Sequence, residues 1–183
     1  MTAPAQRLTS LDAFRGFTIA GRPVGPGHPV FVVAEMSANH GASLEHAERV
    51  LRAAKDAGAD AVKIQTYTPA TMTLELDRPP FTVELDGPWN RRTLWDLYAE
   101  AHTPWSWHPR LFEVARAIGI PLFSTPFDAS AIDLLVGLGA PAMKIASFEL
   151  PDHALIAAAA RTGRPLVIST GMATLDEIAE AVA

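Results

Sequence analysis

A chain of 183 residues that is 49% hydrophobic and 19% charged carries enough apolar surface for a substantial core and too few charges to stay disordered. Twenty acidic against fifteen basic residues give a net charge of −5 with no basic block, so there is no nucleic-acid footprint and any bound anion must be held by a few local cations. The absence of cysteine excludes disulfides, thiolate metal sites and a cysteine nucleophile, and it fits a reducing cytoplasm; residues 1–10 lack an apolar leader core, and no apolar run approaches the roughly 18 residues of a membrane span.

After a Gly/Pro-rich entry at 21–29, strands and helices alternate. Residues 30–35 (VFVVAE) form a β-branched apolar run, and 44–57 follow with helical spacing of Leu44, Ala47, Val50, Leu51 and Ala54. The second strand is expected at 61–65, followed by a long Pro-rich loop around 68–88 and helices near 92–102 and 107–118. The later strands fall at 121–124, 142–146 and 165–169, each followed by a helix, at 129–138, 153–161 and from 174 onward. Ala-Gly-Ala (57–59), Ile-Gly-Ile (118–120), Leu-Gly-Ala (138–140) and Thr-Gly-Arg (162–164) punctuate the helix ends as glycine caps.

Such alternation means a parallel sheet covered by helices. On length alone an open doubly wound sheet of five strands is favoured, since a (β/α)8 barrel needs eight units and roughly 250 residues. The polar residues reverse that preference. In Val62-Lys63-Ile64-Gln65, period two sends Lys63 and Gln65 to one face of a buried strand; Lys144 lies likewise between Met143 and Ile145, and Glu35 ends its own strand. A helix-covered face has no place for such groups, whereas a barrel mouth collects them. The fold class expected is therefore α/β of the TIM-barrel type, with 30–183 covering about five of eight units and 1–29 a lead-in, a candidate hairpin across the barrel base.

Only three of the fifteen basic residues are lysines, Lys55, Lys63 and Lys144, and two of these are embedded in apolar strands. A charged lysine there is costly unless an anion meets it. One solution is internal, with Lys63 paired to Glu35 and Lys144 to Glu149. The other is a phosphorylated, carboxylated ligand, held by the two lysines, nearby hydroxyls and the backbone N–H groups of the Ser169-Thr170-Gly171 turn. Every expected strand ends in chemically capable groups: Glu35 with Asn39 and His40; Lys63 with Gln65; Ser124 with Thr125; Lys144 with Ser147 and Glu149; Ser169 with Thr170. Either lysine could instead form a Schiff base, and Glu35 and Glu149 are candidate acids or bases. Asn39-His40 offers a hydrogen-bonding pair or a single metal ligand, and no paired-histidine spacing of a metal site is present.

The ordered motifs AEMSANHG (34–41), GADAVKIQTYTP (58–69), FSTPFD (123–128), KIASFE (144–149) and ISTGMAT (168–174) resemble the strand-end motifs of the sialic acid synthase family. The segments TPWSWHPRLFEVARAIGIPLFSTPFD and KIASFELPD are most similar to its pseudaminic acid synthase branch. The resemblance implies condensation of phosphoenolpyruvate with a 2,4-diacetamido-2,4,6-trideoxy hexose, an aldehyde amino sugar, to give pseudaminic acid and phosphate by C–O cleavage. It assigns phosphoenolpyruvate to Lys63, Thr125, Lys144, Ser147, Ser169, Thr170 and Gly171. Glu35, Glu149 and Lys63 take catalytic roles, and Gln65, Asn39 and His40 lie toward the sugar. It also implies a divalent metal (Mn2+, Mg2+ or Co2+) on histidines beyond Ala183, a C-terminal antifreeze-like domain outside this chain, a homodimer at full length, and no turnover by these 183 residues alone. N-acetylneuraminate or legionaminic acid synthesis, a Schiff-base aldolase and a non-catalytic fragment are the alternatives.

Overall fold

The computed structural model describes residues 16–84 and 86–183. An antiparallel hairpin, β1 (Phe17–Ile19) and β2 (Arg22–Val24), precedes five parallel strands: β3 (Val33–Glu35), β4 (Ala61–Thr66), β5 (Leu122–Pro126), β6 (Met143–Ile145) and β7 (Leu166–Ile168). The helices are α1 (Leu44–Asp56), α2 (Pro69–Met72), α3 (Leu94–Ala101), α4 (His108–Ile118), α5 (Ala129–Gly137), α6 (His153–Ala160) and α7 (Leu175–Ala181).

The parallel strands pair strictly in chain order, β3-β4-β5-β6-β7. A doubly wound sheet contains a reversal of that order, because it winds outward from a switch point to place helices on both faces. Winding one way with right-handed crossovers puts the connecting helices on a single face and leaves the other to curl inward. The chain is thus an α/β half-barrel, five strands of the TIM-barrel type, as the polar strand residues required.

Alternation along each strand separates the two faces. Val62 and Ile64 of β4, Leu122 of β5, and Met143 and Ile145 of β6 point outward into one buried cluster with Leu51, Leu111, Leu135 and Leu155 of the covering helices. Ala61, Phe123 and Ala142 point inward and pack with Ile19 of the hairpin in a second, smaller cluster near the strand N-termini. Arg22 ties the hairpin down by an ion pair with Asp60, a hydrogen bond to the Val30 carbonyl (3.2 Å) and a seat 5.2 Å from the centre of the Phe31 ring.

The helices follow the expected spans to within a residue or two, with side-chain caps from Ser43, Thr93, Asp128, Asp152 and Thr174. Gly119 and Gly139 adopt φ of +69° and +75° where α4 and α5 end, the left-handed turn their positions suggested. Two differences are larger. The run at 30–35 contributes only Val33–Glu35 to the sheet; Val30 and Val32 are 81% and 51% exposed, and the Val32 N–H turns to the Asp60 carboxylate (2.7 Å). The expected loop at 68–88 contains α2 and one arm of a folded tongue, in which Thr82 bridges Thr93 and Val83 exchanges backbone hydrogen bonds with Arg91 and Arg92 (2.8 and 3.0 Å). Trp89 stands in the turn of that tongue, where the Arg92 N–H donates to its carbonyl (3.0 Å).

Candidate active site

The inward residues at the C-terminal strand ends meet as sheet register dictates. Glu35 of β3 is the register partner of Lys63 of β4, and the two form an ion pair. Lys63 Nζ also donates to Thr125 Oγ1 at 3.3 Å, so three adjacent strands supply one linked set. On β6, Lys144 Nζ donates to the Ile145 carbonyl (2.5 Å) and to Ser169 Oγ (2.6 Å), just beyond β7. Among the described residues, no carboxylate lies within ion-pair distance of Lys144. The two internal pairings open to the sequence therefore divide: Lys63 takes its carboxylate, and Lys144 does not.

Electrostatics expose that imbalance. Burial, followed by repulsion from Lys63, pulls the Lys144 ammonium below the ordinary lysine range, with Glu149 and Glu35 opposing more weakly. Burial also raises the Glu149 carboxyl above its usual range, against smaller opposing effects from its backbone hydrogen bond and Lys144. Its Oε2 is buried with no hydrogen-bond partner. Lys144 thus lies below and Glu149 above its ordinary range, burial being the largest cause of both shifts.

Ser37 braces the other side and went unnoticed in the sequence. With φ at +46° it sits in the left-handed region, a strain of order 1 kcal/mol or more for a residue with a Cβ. There its N–H donates to Glu35 Oε1 (2.9 Å) and its hydroxyl to Gln65 Oε1 (3.0 Å), fixing both side chains. A short polar residue two positions past a strand-ending glutamate was the available signal. Gln65 in turn borders a cavity of about 610 Å³ shared with Tyr67, Trp89, Leu97 and Tyr98.

Other candidates are placed differently. Ser147 begins the 3-10 turn Ser147–Glu149, and Thr170 and Gly171 are exposed in a turn closed by the Ala173 N–H on the Thr170 carbonyl (3.1 Å). None of the three hydrogen-bonds a lysine. Asn39 is exposed in the β3–α1 loop. His40 is buried, its Nε2 faces the Ala101 carbonyl (3.2 Å), its Nδ1 accepts from the Ala42 N–H (3.2 Å), and its ring packs edge-on to Trp107. Ser124, one residue before Thr125, points outward to Thr66 and the helix layer.

No three His, Cys, Asp or Glu side chains gather as a metal site among the described residues. Five strands wound one way, with lysines, carboxylates and hydroxyls collected at their C-terminal ends, define an α/β half-barrel protein of the TIM-barrel type. The chain belongs to the NeuB family, whose model matches residues 50–183. It is 46% identical over 154 residues to pseudaminic acid synthase from Helicobacter pylori, the alignment covering 84% of this chain and 45% of that protein. Identity to N,N'-diacetyllegionaminic acid synthase from Legionella pneumophila is 33% over 161 residues, covering 88% and 45%. The crystal structure of N-acetylneuraminic acid synthetase from Leptospira borgpetersenii in complex with citrate matches with a TM-score of 0.79 at 30% identity, over 92% of this chain and 54% of that one. The chain spans about half the length of the relatives it matches.

Proposed function

We propose that these residues are the phosphoenolpyruvate-binding half of a nonulosonic acid synthase that condenses phosphoenolpyruvate with a 2,4-diacetamido-2,4,6-trideoxy hexose, giving pseudaminic acid and phosphate. The observation that carries the anion is Lys144, a partly buried cation with hydroxyl and carbonyl partners and, among the described residues, no carboxylate within ion-pair distance. The choice of sugar is supported by the higher identity to the Helicobacter enzyme than to the legionaminic acid synthase.

On this reading, Lys144 with Ser169 and Lys63 with Thr125 hold the phosphate and carboxylate groups, and the Thr170-Gly171 turn offers backbone N–H groups beside them. C3 of the enol attacks the sugar aldehyde at C1, forming the C–C bond while the aldehyde oxygen takes a proton from Glu149, whose burial favours the protonated form. Water adds to C2 and gives its proton to Glu35. The C2–O bond to phosphorus's bridging oxygen then breaks, phosphate leaves with that oxygen, and the C2 hydroxyl loses its proton to become the ketone. The fixed cations stabilise charge as it passes from enol to phosphate, a contribution that is often the largest single one. The hairpin at 17–24 serves as the floor of the barrel beneath this chemistry.

A second reading, a Schiff-base aldolase, draws on the same lowered Lys144, because a lysine that sheds its proton more readily is a better nucleophile. Two assays separate them. Phosphate release from phosphoenolpyruvate and the trideoxy sugar is expected when these residues are joined to the segment that completes the relatives' length, not from the 183 residues alone, and borohydride with pyruvate should label no lysine. Equal turnover of N-acetylmannosamine would overturn the sugar assignment, and a pyruvyl-lysine adduct would favour the aldolase.

A further inference from the structure

We propose that the cavity beside Gln65 is the subsite for the apolar substituents of the sugar, and that Trp89, Leu97 and Tyr98 set a preference for N-acylated, deoxygenated amino sugars over hydroxyl-rich ones. This rests on the reading above and deepens it. The cavity, about 610 Å³, lies within the range of small-molecule sites and reaches the strand-end residues through Gln65 and Ser37.

Its polar inventory is largely committed. Ser37 and Gln65 bond to each other at 3.0 Å, and Glu100 is ion-paired with Arg92 at 2.8 Å. What remains is the amide NH2 of Gln65, suited to an acyl carbonyl, the indole N–H of Trp89 and two tyrosine hydroxyls. A sugar hydroxyl placed here loses water with few partners to replace it, whereas an acetamido methyl or a C6 methyl gains by leaving water.

The wall is also held in place before any ligand arrives. Tyr67 packs edge-on against Tyr98 and Phe127, with ring centres 5.7 and 5.4 Å apart, and its carbonyl accepts from Trp105 Nε1 at 3.1 Å. Trp89 is 62% exposed, yet the turn beneath it is fixed by the Val83 ladder and by the Arg92–Glu100 pair. A large aromatic held open to solvent over an apolar cavity is a surface suited to a ligand that is apolar on one side.

The test uses the 183-residue protein with saturating phosphoenolpyruvate and two probes, N-acetylmannosamine and 2,4-diacetamido-2,4,6-trideoxy-altrose. In saturation-transfer NMR the acetyl and C6 methyl protons of the second probe should receive more saturation than its ring protons. Its affinity should exceed that of N-acetylmannosamine by about tenfold, the scale of discrimination a missing methyl or misplaced hydroxyl brings in an apolar pocket. Trp89→Ala should erase that difference and Trp89→Phe retain it, with phosphoenolpyruvate affinity unchanged in both. Equal affinities in the unsubstituted protein, or a Trp89→Ala variant that keeps the difference, would overturn the subsite while phosphoenolpyruvate still binds. Failure of phosphoenolpyruvate to bind at all would overturn the parent reading and this one together.

Discussion

Replacing Lys144 by Met is expected to weaken phosphoenolpyruvate binding by about 10²-fold, from the loss of charge-assisted hydrogen bonds to the ligand, while leaving the melting temperature unchanged or raised. The two effects have opposite signs because Lys144 is partly buried without a carboxylate, so its charge is a burden on the unliganded protein and an asset to the complex. Lys63→Met should behave differently. It strips Glu35 of its partner, and with the Glu35 side chain 41% exposed the cost is small, at most about 1 kcal/mol, but it is destabilising. Calorimetric titration together with thermal unfolding of the two variants reads both signs. A destabilised Lys144→Met protein that still binds phosphoenolpyruvate would make Lys144 a structural residue.

Stability is expected to fall by up to about 3 kcal/mol as the pH drops from about 6.5 to about 4, through His108 alone. This side chain is fully buried between α4 and the sheet. In its neutral form Nδ1–H donates to the Pro104 carbonyl (3.2 Å) and Nε2 accepts from the Thr66 hydroxyl (2.9 Å), which also touches Ser124 Oγ (2.6 Å). Burial, with a smaller push from His102 and against the Pro104 hydrogen bond, lowers the imidazole from 6.5 to about 4. Between those values the unfolded chain takes a proton that the folded one refuses, so acid favours unfolding; above pH 6.5 both forms are neutral and the contribution is constant. His40, also lowered chiefly by burial, adds in the same direction. Urea unfolding at pH 7.5, 6 and 5 should show the slope, and His108→Gln should flatten it. An unchanged slope in that variant would assign the acid sensitivity elsewhere.

The barrel type was legible because period two in β4 and β6 puts Lys63, Gln65 and Lys144 on a face that helices cannot cover. Helix extents were legible from caps and glycine stops, which are local chemistry. What escaped the sequence depends on contacts between distant segments. His40 and His108 look alike in a string of letters, yet each is held by a group far away in the chain, the Ala101 carbonyl at the end of α3 and the Thr66 hydroxyl of β4. Ser37 matters because its backbone enters the left-handed region, and nothing in Met-Ser-Ala-Asn demands that. Lys144 resisted most: Glu149 was available in the sequence, but the Lys144 ammonium donates instead to the Ile145 carbonyl and the Ser169 hydroxyl.

A phosphoenolpyruvate titration followed by amide and lysine side-chain NMR reads whether the lysines at the strand ends form its binding site. Saturable shifts confined to Lys63, Thr125, Lys144 and the Ser169-Thr170-Gly171 turn are the predicted result, with inorganic phosphate reproducing only part of them. Shifts that are absent, or that fall outside the strand ends, would contradict it.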